Sequence, residues 1–115
     1  MQIEERAVEA VTILELKGKL TLGDGDSLLK DKIHSLVNQD RKHIVLDLGE
    51  LTYVDSAGLG EIVRSLTTVT RGGGTLKLLN LNKRIQDLMV MTKLITVFDT
   101  FENEAEAVRS FAAKV

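Results

Sequence analysis

The sequence predicts an α/β fold: a mixed, mostly parallel five-stranded sheet with about four helices, in the order ββαβαβαβα. Two observations carry this expectation. Short apolar runs such as Ile44-Val45-Leu46 alternate with segments whose apolar residues recur at helical spacing. Repeated βα units in turn imply parallel strands with right-handed crossovers. A third observation bounds the size: 115 residues, 43% hydrophobic and 28% charged, without proline, supply one core and not two. A single domain over residues 1–115 is therefore expected.

Residues 2–7 and 11–17 mix charged and apolar positions and read as two strands joined by a short turn, suited to a sheet edge with one wet face. Only the first is expected to run antiparallel. Residues 18–26 read as a loop on their glycine content. In the helix that follows, Leu29, Ile33, Leu36 and Val37 fall at i, i+4, i+7 and i+8, with Asp24 or Asp26 as the expected cap. Residues 43–48 form a strand covered on both faces. Residues 56–71 form the next helix, with Leu59, Ile62, Val63 and Leu66 on one face and Gly72, Gly73 and Gly74 at its end.

Residues 75–79 are a further buried strand. Residues 83–92 make a short helix with Ile85, Leu88 and Met89 inward, and residues 96–99 a brief last strand. Residues 103–113 close the chain as a helix. There Asn103 and Glu106 are spaced as a capping box, with Ala105, Val108 and Ala112 on the core side.

Composition removes several function classes. A formal net charge of −2 and 3% aromatic residues offer neither a phosphate-neutralising surface nor a base-stacking platform, so no direct nucleic-acid contact is expected. Cysteine is absent, which removes thiolate chemistry. The charged N-terminal stretch lacks the apolar core of a signal peptide, and no apolar run has the length of a bilayer span. No membrane insertion and a cytoplasmic location are expected. Asp24-Gly25-Asp26 with Asp31 lacks the remaining ligands of a calcium loop. His34 and His43 match no metal spacing, and the glycines match neither a P-loop nor a dinucleotide fingerprint. Met89 and Met91 are expected as core filler. Ser56 lacks the elbow and base of a catalytic nucleophile. No catalytic residue, metal or cofactor is expected, and the chain is not expected to be an enzyme.

Ligands and partners of open α/β sheets meet the carboxyl ends of the strands, and the loop after the third strand, residues 48–61, leads there. Gly58 and Gly60 fall in the first turn of a helix, where each costs about 1 kcal/mol against alanine. A fold tolerates that where a backbone must approach something closely. Asp55 and Ser56 precede them, placed to cap free N–H groups. Two accounts fit these features: a capped turn with glycines for tight packing, or a binding site.

The segment Asp55-Ser56-Ala57-Gly58-Leu59-Gly60 follows a D-L-x-x-L-x-x-V-D lead-in from Asp47 to Asp55, and Gly18-Lys19-Leu20 precedes the first helix. With these motifs the chain resembles the STAS domain family, and within it the bacterial anti-sigma factor antagonists. The resemblance implies that Ser56 is phosphorylated by a partner kinase of GHKL type, which is also the anti-sigma factor. The unmodified form binds that partner and frees a sigma factor. Phosphorylation breaks the complex, and a PP2C-type phosphatase reverses it. Thr21, Asp24, Asp55, Ser56, Ala57, Gly58, Leu59, Gly60 and Glu61 are then the expected partner-binding residues, with Asp55 and Glu61 opposing the added charge. The chain departs from the family in one place. Many members carry an aspartate where this chain has Thr21, which keeps open a scaffold or accessory subunit of a stress-signalling complex or transporter, without a phosphorylation cycle.

Overall fold

The apolar run at residues 44–46 serves two cores at once. In the computed structural model, which describes residues 1–112, the chain runs β1 Gln2–Val8, β2 Val11–Leu20, α1 Asp26–Asn38, β3 His43–Asp47, β4 Leu51–Val54, α2 Ser56–Arg71, β5 Thr75–Leu79, α3 Lys83–Met91, a 3-10 turn Leu94–Thr96, β6 Thr100–Phe101 and α4 Glu104–Ala112. The main sheet has the order β1-β2-β3-β5-β6. β1 pairs antiparallel with β2, and the other pairings are parallel, as the βα repeat predicts.

Ile44 and Leu46 join Leu14, Leu16, Leu76 and Leu78 in one core with Leu29, Ile33, Ile62, Val69, Ile85 and Met89 from α1, α2 and α3. Val45, between them, faces the other way and packs with Val11, Ile13 and Leu79 against Ala107 and Val108 of α4. A strand with helices on both faces has no wet side, so its residues do not alternate. β1, by contrast, is an edge strand and is mostly exposed.

Four local expectations are corrected. Residues 51–54 are a strand, β4, where a loop is expected; β4 pairs with Gly18, Lys19 and Leu20 at the end of β2, across an irregularity between Gly18 and Lys19. Its burial runs buried, exposed, exposed, buried, which lacks the period-2 alternation of a strand. β2 accordingly extends to Leu20, and only the turn after it is a loop. Residues 96–99 do not form the last strand. Lys93 adopts φ 63° and opens the 3-10 turn, which delays sheet pairing to Thr100 and Phe101, opposite Leu78 and Leu79.

Neither Asp24 nor Asp26 caps α1, whose N-cap is Gly25 at φ 94°. The Asp26 carboxylate instead accepts from the N–H groups of Gly23 and Ser27. In α4 the inward residues are Ala107 and Val108, with Phe111 packed beside them, and Ala105 and Ala112 are exposed. Asn103 accepts from the Glu106 N–H at 3.0 Å, one half of the capping box. Ala113, the expected last residue of this helix, lies outside the described residues.

One close approach positions everything at the carboxyl end of the sheet. The first turn of α2 lies directly on the end of β2: a Cβ on Gly58 would sit 2.0 Å from the Leu20 carbonyl oxygen and 2.8 Å from its carbon. Gly60 meets only the mobile end of Arg64, at 3.3 Å. Gly58→Ala is therefore expected to destabilise the fold by about 1–3 kcal/mol or more, the range of overpacking against groups that cannot move aside. Gly60→Ala is expected to leave stability near that of the parent or to raise it slightly through helix propensity. Chemical denaturation of both variants checks the contrast.

Candidate functional site

The site begins where β4 ends. Asp55 leaves the strand in extended conformation and is the N-cap of α2. Its Oδ1 accepts from the Gly58 N–H at 2.7 Å, and its Oδ2 accepts from the Leu22 N–H at 3.1 Å. One carboxylate thus fastens the helix start and the turn after β2 together. These backbone donors, Gly58 first and Leu22 second, hold the Asp55 carboxyl below the ordinary aspartate range. Ser56 is the first residue of the helix and is exposed. Asp55 is the cap, so the Ser56 hydroxyl has no structural duty there.

The turn facing this helix end is tight. Thr21 N–H donates to the Asp24 carbonyl at 2.8 Å, and the Asp24 N–H returns the bond at 2.9 Å. The Asp24 carboxylate takes the amino group of Met1 at 2.7 Å. Leu22, at the tip, is 76% exposed.

The expected residues therefore separate by burial, with Asp55, Ala57 and Gly60 half-buried. Thr21 and Asp24 lie in the turn that Asp55 fastens to the helix start, and Ser56 is exposed there. Gly58 and Leu59 are buried and pack the helix start. Glu61 is buried as well, 5% exposed, and Arg64 Nε donates to its Oε1 at 3.3 Å. Glu61 is thus recessed between α1 and α2 and does not share the exposed surface of Ser56.

An apolar groove is the feature that the sequence left unmarked. A space of about 560 Å³ lies between the end of β4 and α3, floored by Val54, Ile85 and Leu88 and flanked by Tyr53, Lys83 and Met91. Asn82 ties its walls together: its Nδ2 donates to the Leu51 carbonyl at 2.8 Å, while its Oδ1 caps α3 through the Ile85 N–H at 2.9 Å. Met91 is 79% exposed, against the expectation of core filler. The signal was available, because two residues along a helix is a turn of about 200°, so Met89 and Met91 cannot both face inward. Tyr53 had no such signal; its exposure follows from β4, which is itself short.

Among the described residues no three His, Cys, Asp or Glu side chains are grouped to hold a metal ion. No helix among them is long and apolar enough to cross a membrane.

Comparison with known proteins bears on this geometry. The family model for the STAS domain matches residues 2–107. An anti-sigma F factor antagonist of Paenibacillus polymyxa is 28% identical over 107 residues, 93% of this chain and 92% of that protein. The crystal structure of a candidate anti-sigma factor antagonist from Thermotoga maritima has the same fold, with a TM-score of 0.86 at 23% identity, over 94% of this chain and 92% of that one. The anti-sigma factor antagonist SpoIIAA matches in its unphosphorylated form with a TM-score of 0.73 at 19% identity, over 97% of this chain and 99% of that one. The phosphorylated form of SpoIIAA, a Bacillus protein, matches with a TM-score of 0.74 at 18% identity, over 96% and 99%.

The Asp55 clamp makes stability depend on pH in a defined direction. A carboxylate whose folded pKa lies below its unfolded value stabilises fully above the ordinary aspartate value of 3.8, and that contribution is lost as pH falls through the folded value. Asp55→Ala is expected to melt at a lower temperature than the parent at neutral pH. The gap between the two should narrow as the pH falls below about 4, where the parent loses the clamp by protonation. Thermal melts of both proteins between about pH 7 and pH 2 check this; a gap that stays constant would show that the carboxylate charge has no part in the clamp.

Proposed function

We propose that this chain, which belongs to the STAS domain family, works as an anti-sigma factor antagonist whose binding surface is switched by phosphorylation of Ser56. The observation that carries the proposal is the placement of Ser56: exposed at the first position of a 16-residue helix, beside a clamp made entirely by its neighbour. A hydroxyl without a structural duty can be modified without unfolding what surrounds it.

The chemistry follows from that placement. Phosphorylation adds close to two negative charges where a neutral, compact group stood. The helix N-terminus favours such charge and offers free N–H groups to it, so the domain tolerates the dianion. A partner surface shaped for a hydroxyl does not. The Asp55 carboxylate next to it adds like charge, and a contact made there meets repulsion and the cost of desolvating a dianion.

The partner in this proposal is an anti-sigma factor that is also a GHKL-type serine kinase. The unmodified chain sequesters it and frees a sigma factor; a PP2C-type phosphatase resets the switch. The chain is then a substrate and a ligand, not an enzyme, and meets its partners in the cytoplasm. Two observations support this choice. A Paenibacillus relative of nearly the same length carries the name anti-sigma F factor antagonist, and SpoIIAA, which shares the fold, has been solved with and without its phosphate. Exposed apolar side chains also lie close to this segment: Leu22 is in the turn that Asp55 fastens to the helix start, and Tyr53, which ends up beside Met91 in the groove, stands three residues before Ser56. Such residues beside a switch are suited to burial against a protein.

Incubation with a kinase of this class and ATP is expected to place phosphate on Ser56. Ser56→Asp is expected to weaken partner binding by at least about 1–2 kcal/mol, while its thermal stability stays level or rises slightly because an anion at a helix N-terminus is favoured by about 0.3–1 kcal/mol. Ser56→Ala is expected to bind like the parent and to accept no phosphate. Phosphopeptide mapping, calorimetric titration and melts of the three proteins check the set. Phosphate on Thr21, Ser27 or Thr52 in place of Ser56, or full-strength binding by Ser56→Asp, would overturn the switch in favour of an accessory-subunit role.

A further inference from the structure

β1 leaves one side of the sheet open. Among the described residues its single strand neighbour is β2, so the seven residues Gln2–Val8 border solvent along their other edge. The hairpin decides which backbone groups face outward there. Val8 pairs with Val11 across the two-residue turn Glu9-Ala10, and such a turn closes on a hydrogen-bonded pair. Bonded and non-bonded positions then alternate along an antiparallel ladder. Val8, Arg6 and Glu4 therefore turn their N–H and C=O groups to β2, while Ala7, Glu5 and Ile3 turn theirs outward.

The side chains along this edge differ between the two faces of the sheet. On the α1 face, Glu5 accepts from Lys32 Nζ and from Arg41 Nη1, each at 3.0 Å. Leu28 stands one helical turn before Lys32 on the same side of α1 and is 45% exposed. Ile3, on the same face of β1, is half-buried against the main core. On the other face Glu4 pairs with Lys17 and Arg6 with Glu104, all four side chains at least 35% exposed. Pairs as exposed as these contribute little and leave their charges open to a further partner.

We propose that β1 is the edge along which two copies of this chain pair, antiparallel, with Glu5 opposite Glu5, to form one continuous sheet. In that register Ile3 faces Ala7 and Glu4 faces Arg6, each twice because the contact is two-fold symmetric. The outward groups of Ile3, Glu5 and Ala7 bond one another across the joint. Opposite charges stand directly across from each other at Glu4 and Arg6, on one face of the joined sheet. The two Glu5 carboxylates make the one like-charge contact, and Lys32 and Arg41 of each copy surround it. Ile3 and Leu28 supply apolar surface beside the joint. Charges on an edge guard it against arbitrary strands; here their order admits one partner in one register. The inference goes beyond the switch and does not rest on it, because Thr21, Asp55 and Ser56 lie outside β1.

Sedimentation equilibrium of the full chain tests the proposal. The mass is expected to rise from that of one chain toward that of two as concentration passes through the micromolar range. Arg6→Glu sets carboxylate against carboxylate at both ends of the contact and is expected to weaken association by at least about tenfold. Glu4→Arg/Arg6→Glu restores opposite charges in this register and is expected to recover association to within a few-fold of the parent. Both variants lose the Arg6 bonds to Glu104, so a difference between them reports the contact between copies and not the fold. Melting temperatures of the three proteins confirm that each is folded. The mass of one chain at every concentration up to about 1 mM, equal association of Arg6→Glu and the parent, or no recovery in the double variant would each overturn the proposal. Ser56 is unaltered throughout, so failure here and failure of phosphate transfer to Ser56 are read separately.

Discussion

Three segments of the chain meet at the carboxylate of Asp55, and the rest of the site is arranged around that meeting. The helix start gives it the Gly58 N–H, the turn after β2 gives it the Leu22 N–H, and β4 delivers it to the spot. This works because Gly58 has no side chain. The first turn of α2 can then rest on the Leu20 carbonyl, which brings the cap and the turn within one hydrogen bond of each other. Loss of either contact separates Ser56 from the loop that borders it.

This arrangement gives adjacent residues different surroundings. Asp55 and Gly58 carry the packing and the cap, while Ser56 carries neither and faces solvent. A modification that would wreck a core position is mild here, because the helix N-terminus already favours an anion. In the proposed switch a phosphate on Ser56 would act on the partner's surface and leave the fold in place. Little conformational change is needed for a large change in affinity, since added charge and bulk at a contact act locally.

The faces around Ser56 differ in character. Toward α3 lies an apolar groove with Tyr53 and Met91; toward α1 lies a polar cleft with Lys30 and Arg64.

The sequence by itself determined most of the element types, the parallel sheet, and the Asp55-Ser56 segment as the start of α2. These follow from local quantities: the two-faced burial of residues 44–46, the helical spacing of Leu29, Ile33 and Leu36, and two glycines in one helical turn after Asp55-Ser56. Tertiary structure alone decided what those residues touch. β4 exists because the tail of β2 is there to pair with it, and four residues of irregular burial cannot announce that. Gly58 proved to be required by a carbonyl 38 positions earlier in the chain. Glu61 was grouped with the partner-binding residues by its position in the motif, yet it is buried beside α1 and paired with Arg64. In each case the deciding neighbour is distant in sequence or lies across a helix, and a one-dimensional pattern records spacing along the chain, not the partner across it.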